Sequence, residues 1–589
     1  MKKLLLSSIA IGVISAHASA ATDVSRDFQT WRTAQSVKHM ADRSDRVIIK
    51  YKNHRTPASL SLSTSMKKTA GLNKNVGAAF KHLKELGQQR HLLKMDGFVT
   101  LAEAKAALAQ DQSIESVELD AIRFPLSNQV SPWGLSAVQA QQVSQINTGN
   151  RTVCVIDSGY QANHPDLIDN QHNGSDDKGA GNWNTTSGSH GTHVAGTIAA
   201  SNNDLGVRGV MGANTVGLHI VKVFNDSGDF VYASQLAGAV QNCVEAGANV
   251  INMSLGGPRA TADEREAMQT AYDAGVLLVA AAGNDGDDSY SYPASYPAVM
   301  SVAAVDNNDE HVSFSQFTDQ VEIAAPGEAV LSTVAGDGRL ASLTLDDGTQ
   351  VANHDQLLPM TSYQLGQQFS FRTWQYELAA TADLSKNGEY SGELAKCTQT
   401  GTSIDCGDMS GKICLIERFS NQGLSITRNN RRFGSPITNV ESPDLDAALA
   451  CQQAGAEAVL IYSNEGKPGL SDSLMASLDT NSLRIPGLSI DKNRAQALNA
   501  YIGNTLTLKV EANQDYGFMS GTSMASPHVA GVAALVWSHH TGCSAKDIRQ
   551  ALTESAKDID APGRDDKTGH GLIQAKAALA ALATKDCAI

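Results

Sequence analysis

The stretch Val153-Cys154-Val155-Ile156-Asp157-Ser158-Gly159 decides the fold. Four consecutive apolar residues, three of them β-branched, read as a short strand buried on both faces, and the acid, serine and glycine that follow mark its end. The pattern repeats downstream with helical runs between the strands. Val194 to Ala200 reads as helix, Gly217 to Val223 as strand, Ser234 to Ala246 as helix, Val250 to Met253 as strand, Ala262 to Ala274 as helix and Val276 to Ala281 as strand. This alternation predicts an α/β fold, a parallel sheet with helices on both faces. In such sheets reactive groups gather beyond the carboxyl ends of the strands, where Asp157 stands.

The alternation stops after Val334. Residues 335–515 begin polar and turn-rich, then read as a strand (Lys412 to Arg418), a helix (Leu445 to Gly455) and two strands (Ala458 to Tyr462, Leu483 to Ile490). An insertion of this length is a domain, not a loop. The helical pattern of the body resumes at Thr522 and runs to about Trp537. Upstream of the sheet, Arg46 to Lys52 reads as strand, Ala79 to Leu93 and Leu101 to Ala109 as helices, and Ile114 to Leu119 as strand, which suits a small α+β module. It ends at Arg123-Phe124-Pro125-Leu126, before Ser127-Asn128-Gln129, a junction with the character of an exposed, cleavable linker.

At 589 residues the chain is long enough for several domains, and 42% hydrophobic against 18% charged residues supports large cores. The net charge is −15, with 19 Lys+Arg and 11 Asp+Glu in residues 1–126, a local +8, so the remainder carries −23. An acidic body argues against nucleic acid or an anionic membrane as the main partner, and a basic front suits association with it. Lys2 and Lys3, the apolar run Leu4 to Ile14 and Ala18-Ser19-Ala20 follow the order of a secretory signal peptide over residues 1–20. No later apolar run is long enough to span a bilayer. The eight cysteines (Cys154, Cys243, Cys397, Cys406, Cys414, Cys451, Cys543 and Cys587) fit an oxidising destination, and the crowding of Cys397, Cys406 and Cys414 points to a local bridge.

Three segments carry chemistry. Asp157 ends a buried strand, His190-Gly191-Thr192-His193 opens a helix, and Gly521-Thr522-Ser523-Met524-Ala525-Ser526-Pro527-His528 opens another. An acid, an imidazole and a hydroxyl at element ends on one rim are what nucleophilic acyl transfer needs. His190 would take the proton of Ser523, Asp157 would orient the imidazole, and the helix start at Ser523 together with the amide of Asn284, after Ala281-Ala282-Gly283, would hold an oxyanion. His190 and His193 lie three apart on a helix, but no third ligand or HExxH pattern accompanies them, so a zinc reading fails, and His193, His528 and His164 read as structural. An esterase would place its serine in G-x-S-x-G with the order Ser, acid, His, which this chain does not follow.

On these motifs the chain resembles the subtilases, the secreted subtilisin-like serine proteases. The resemblance covers about 128–334 and 516–580, and implies a discontinuous peptidase domain over 128–334 and 516–589, with Asp157, His190, Ser523 and Asn284 as catalytic residues. Residues 21–127 resemble the family's ferredoxin-like α+β propeptide, an intramolecular chaperone and inhibitor. The insertion resembles a β-rich protease-associated (PA) domain, over about 376–511, through Gly411-Lys412-Ile413-Cys414-Leu415-Ile416-Glu417-Arg418 and Ala454-Gly455-Ala456-Glu457-Ala458-Val459. By the same resemblance Ser254, Leu255, Gly256 and Gly257 line an extended substrate, and Ala281, Gly283, Ser291 and Tyr292 surround a roomy apolar slot for the residue before the cut, with Asp285 near its mouth. Ser201 to Val207 resembles the family's calcium loop, which implies Ca²⁺ held by side chains of Gln129, Asp166 and Asn203 and carbonyls of Ser201, Leu205 and Val207. The expectation is a secreted, monomeric, calcium-bound serine endopeptidase of broad specificity, made as a self-processed precursor whose partners are its peptide substrates and its own propeptide. A competing expectation makes the insertion a binding module on a silent scaffold, which four intact catalytic positions oppose.

Overall fold

The computed structural model describes residues 46–52, 80–87, 90–95, 105, 108, 114–119 and 129–587, apart from 146–148, 169, 177–179, 226–230, 361, 371–372, 381–386, 401–402, 419–424, 429–436, 463–469, 471–474, 478–482 and 586. The expected signal peptide lies outside them. The chain forms two compact units, Met1–Ser127 and Asn128–Ile589.

In the first unit, β1 (Arg46–Tyr51), β2 (Phe80–Gly87), β3 (Arg90–Met95) and β4 (Ile114–Leu119) form one antiparallel sheet in the order β2-β3-β1-β4. The helix expected over 79–93 is therefore a hairpin. Its apolar residues Phe80, Leu83 and Leu86 recur every three positions, which reads as helical. The pairing of β2 with β3 shifts register twice, between His82 and Lys84 and between Glu85 and Gly87. Each bulge adds a residue to one strand and so stretches the strand period of two towards three. Of the second expected helix, Lys105 and Leu108 are described and are helical.

The second unit is built on seven parallel strands: β5 (Thr152–Asp157), β6 (Gln171–Asp176), β7 (Gly217–Lys222), β8 (Val250–Met253), β9 (Leu277–Ala281), β10 (Val299–Val305) and β11 (Val321–Pro326), ordered β11-β10-β9-β8-β5-β7-β6. Alternate residues feed two cores. Val153, Val155, Ile220 and Val279 face helices α1 (His190–Ala199) and α4 (Thr522–His539), while Cys154, Ile156, Ile251 and Leu278 face α2 (Ala233–Glu245) and α3 (Ala262–Asp273). Strands buried on both sides account for the unbroken apolar runs of the sequence. The Cys154–Cys243 disulfide fastens β5 to α2, and Cys543–Cys587 closes the C-terminal segment.

Both borders of the insertion run through strands. β12 (Val330–Leu345) leaves the body and β13 (Thr505–Met519) returns to it, and the two pair antiparallel along most of their length. They belong to an eight-stranded mixed sheet whose centre, Gly388–Lys396, Lys412–Glu417, Ala458–Tyr462 and Gly487–Ile490, is parallel. Cys397–Cys406 is the local bridge expected there, and Cys414–Cys451 ties strand Lys412–Glu417 to helix Pro443–Gln453. The part of the insertion that reads as turn-rich thus contains much of this sheet. Its strands, such as Gly388–Lys396, are polar on their exposed positions and give no continuous apolar signal.

Candidate active site

Three element ends meet at the carboxyl rim of the parallel sheet. Asp157 is the last residue of β5 and is fully buried. Its Oδ1 accepts the Ser158 N–H at 2.7 Å and lies 2.8 Å from Nδ1 of His190; its Oδ2 lies 3.0 Å from the same nitrogen. An acid that only accepts fixes the proton on Nδ1 and leaves Nε2 of His190 free to take one. His190 is the first residue of α1, and its imidazole is 38% exposed. Burial alone would lower its pKa, but the charge of Asp157 and the hydrogen bond to it outweigh that and raise it above 6.5. The next residue must be small. A Cβ on Gly191 would lie 2.2 Å from the Gly159 carbonyl and 3.1 Å from Oδ1 of Asp157, so glycine lets α1 dock against the end of β5.

Ser523 sits in the first turn of α4, after Gly521, whose φ of 154° suits glycine. Its hydroxyl donates to the Ser254 carbonyl at 3.1 Å, and among the described contacts it makes no hydrogen bond to His190. Such bonds are commonly long before substrate arrives and tighten afterwards. The carbonyl of Ser523 has an unusual partner. Pro527, four residues on, has no N–H to donate within the helix. The Ser254 hydroxyl takes its place at 2.8 Å and itself accepts from Asn252 Nδ2 at 3.0 Å; Asn252 Oδ1 in turn accepts from Ser526 at 2.7 Å. Three buried side chains (Asn252, Ser254 and Ser526) therefore lock the start of α4 to the end of β8. The sequence carried a signal for this, a proline four places after the serine.

Asn284 is oriented by α4. Its Oδ1 accepts the backbone N–H and the hydroxyl of Thr522, each at 2.9 Å, and the carboxamide nitrogen lies on the Gly521 side, 3.4 Å from where a Gly521 Cβ would lie. The Thr522 and Met524 N–H groups are already taken, by Asn284 Oδ1 and the Gly521 carbonyl, so the Ser523 N–H and the Asn284 amide are the donors placed for a negative oxygen beside Ser523.

A cleft of about 590 Å³ opens beside these groups, lined by Asp157, His190, Ser254, Leu255, Gly256, Gly257 and Tyr292 among others. Gly257 and Tyr292 bridge backbone to backbone at 2.8 Å in both directions. Ser291 is buried, and a Cβ on Gly256 would meet its hydroxyl at 2.4 Å. Ala281 is buried at the end of β9; Gly283 accepts from the Gln316 N–H and donates to the Thr522 hydroxyl. Neither lines this cleft. His193 and His528 are buried, and desolvation pushes them down to about 3 and about 4, which fits packing roles. His164 is also buried, with Nε2 2.7 Å from the Asp515 carbonyl and Nδ1 accepting from Asp166.

The loop at 201–207 collects oxygens. Gln129 Nε2 faces the Ser201 carbonyl at 2.5 Å, the Val207 carbonyl at 2.8 Å and Asn203 Oδ1 at 3.4 Å. One amide nitrogen with two hydrogens cannot serve three acceptors, and turning the amide over would add a fourth oxygen to a set that suits a hard cation. Buried Asp166 holds the loop from below, accepting from Asn203 Nδ2 and from the Val207 N–H, each at 3.0 Å. The Leu205 N–H caps Asn203 Oδ1 at 3.0 Å.

A parallel α/β sheet bearing an acid–imidazole pair, a helix-start serine and an aimed carboxamide at one rim defines a serine hydrolase of the subtilisin type. The chain belongs to the subtilase family, peptidase S8, whose model matches residues 149–416 and 482–571, and a PA domain model matches 376–498. It is 38% identical to subtilisin DY of Bacillus licheniformis over 231 residues, 38% of this chain and 81% of that one. It is 41% identical to the alkaline protease of Shouchella clausii over 249 residues, 42% of this chain and 62% of that one. The crystal structure of the psychrophilic subtilisin-like protease Apa1 from Pseudoalteromonas sp. AS-11 aligns with a TM-score of 0.68 at 44% identity, over 78% of this chain and 99% of that one. The protein is a subtilisin-like serine endopeptidase with an inserted PA domain.

Proposed function

We propose that Ser523 attacks the peptide carbonyl, that His190 takes its proton and returns it to the leaving amine, and that Asp157 holds the imidazole and balances its charge. Asn284 Nδ2 and the Ser523 N–H receive the oxyanion; one such donor lowers the barrier by about 3–4 kcal/mol. The observation that carries this reading is the 2.8 Å Asp157–His190 contact on the rim that also holds the start of α4. Extended substrate lies along Ser254 to Gly257, with Ser291 and Tyr292 shaping the slot before the cut and specificity broad. Gln129, Asp166, Asn203 and the carbonyls of Ser201, Leu205 and Val207 would hold Ca²⁺, which would supply structural charge balance to the loop.

The enzyme is exported through residues 1–20 and made as a precursor that cuts itself beside Ser127, with residues 21–127 as inhibitor. The division of the chain into units at Ser127/Asn128 supports this, as do the ties of Val130, which donates to Gly206 at 2.8 Å and accepts from Arg208 at 3.1 Å. An N-terminus seated there is freed by cleavage just upstream. Among the described residues no helix is long and apolar enough to cross a membrane. The test is hydrolysis of a chromogenic peptide by wild type and Ser523→Ala, with N-terminal sequencing of both. Activity only in the wild type, with a start near residue 127 or 128 only there, is expected. Wild-type turnover by Ser523→Ala would overturn the reading, and an active enzyme starting at Ala21 would overturn the precursor.

A further inference from the structure

We propose that Glu264 is a specificity-determining residue that favours a Lys or Arg side chain on the acyl side of the scissile bond. The inference rests on the reading of the cleft as the substrate cleft. Glu264 lines that cleft although it is only 4% exposed. The walls around it include Phe224, Val231, Leu236 and Leu255, so a buried carboxylate stands in a largely apolar hollow.

The local sequence offers that carboxylate a different task. Thr261-x-x-Glu264 is the spacing of a capping box, and Thr261 Oγ1 does accept the Glu264 N–H at 3.2 Å. The reciprocal bond, from the Glu264 carboxylate back to the Thr261 N–H, is not made. The Tyr296 hydroxyl takes that N–H at 2.9 Å and lies 2.7 Å from Glu264 Oε2, to which it donates. Tyr296 thus does the capping, and its hydroxyl is the one hydrogen-bond partner of this cleft-lining carboxylate among the described contacts. Among the described residues no cation lies within ion-pair distance of it. The neighbouring guanidinium of Arg265 lies over the Tyr296 ring, 5.7 Å from its centroid. Desolvation, partly offset by the Tyr296 hydrogen bond, raises the pKa of Glu264, the mark of a carboxylate that lacks a counter-charge.

A long basic side chain answers both features of the hollow. Its alkyl stem covers the apolar wall and its head supplies the missing charge-assisted hydrogen bond. Arg259, exposed on the same cleft, opposes a basic substrate by like charge and sets how strong the preference is.

The experiment uses the processed full-length enzyme and a peptide library that varies each of the four residues before the cut. At one position the wild type is expected to cleave Lys or Arg about tenfold or more faster, in kcat/KM, than Leu. Glu264→Gln, which keeps an acceptor for Tyr296, is expected to abolish that ratio, Lys and Arg substrates losing about tenfold or more relative to Leu. Arg259→Glu is expected to enlarge it, and gives an independent reading if the Gln variant folds poorly. A wild type without basic preference at any of the four positions would overturn the inference, as would a preference that Glu264→Gln leaves intact. An enzyme that cleaves no library member would overturn the peptidase reading itself, and this inference with it.

Discussion

Removing the Ser254 hydroxyl should loosen the start of α4, and removing Pro527 should undo the damage. In Ser254→Ala the Ser523 carbonyl loses its donor while Pro527 still supplies none, so a buried acceptor is orphaned. Such a group costs about 1–3 kcal/mol, and the loss of the Asn252 bond to the same hydroxyl adds to it. Pro527→Ala restores an N–H four residues after Ser523, where a regular helix would place the bond. In the Ser254→Ala background that N–H has an empty acceptor; in the wild type it must share one. The two substitutions should therefore be coupled by about 1 kcal/mol or more, the double variant being more stable than the sum of the singles predicts. The assay is denaturant unfolding at neutral pH of the four proteins in a Ser523→Ala background, which prevents self-digestion and keeps the backbone carbonyl. Additivity within about 0.5 kcal/mol would refute the claim that Ser254 substitutes for the missing helical donor.

The acid limb of kcat/KM should lie above pH 6.5, because His190 must be neutral to act and Asp157 raises its pKa despite burial; Asp157→Asn should move the limb down and cut the rate by about 10⁴-fold, read from pH–rate profiles. His193 and His528 have the opposite sign. Folded, they hold no proton until pH about 3 and about 4, while unfolded they take one near 6.5, so stability should fall as pH drops below 6.5, by up to about 2.7 kcal/mol per pH unit for the pair. Unfolding of the Ser523→Ala protein between pH 6.5 and 4.5 measures this, and a flat profile would contradict it. Chelation should lower the melting temperature of the processed enzyme, since calcium at a hundred times its Kd stabilises by about 2.7 kcal/mol, and Asp166→Asn should shrink the effect; equal melting with and without chelator would contradict the proposed site.

What the sequence made legible was local. Asp157, His190 and Ser523 each stand at an element end whose type is written in neighbouring residues, so the strand stop and the two helix starts were readable without knowing where they meet. The parallel sheet followed for the same reason, since burial on both faces leaves runs such as Val153 to Ile156 unbroken. The misreading of 79–93 came from bulges, which give a strand a helix-like period. The apolar strands of the insertion, such as Ala458 to Tyr462, were legible, but β12 and β13 at its borders were not, because they pair with each other across more than 160 residues and only that pairing makes their mixed composition a sheet. The orientation of Asn284 and the freeing of Glu264 were likewise out of reach, because each depends on a residue from another element: Thr522 in one case, Tyr296 in the other.

The central claim is that Asp157, His190 and Ser523 work as one unit, and covalent labelling tests it most directly. A fluorophosphonate probe, followed by peptide mapping, should place one equivalent on Ser523 in the wild type and none in Ser523→Ala, with His190→Ala slowing the labelling by about 10³-fold or more. Labelling elsewhere, or at an undiminished rate without His190, would contradict it.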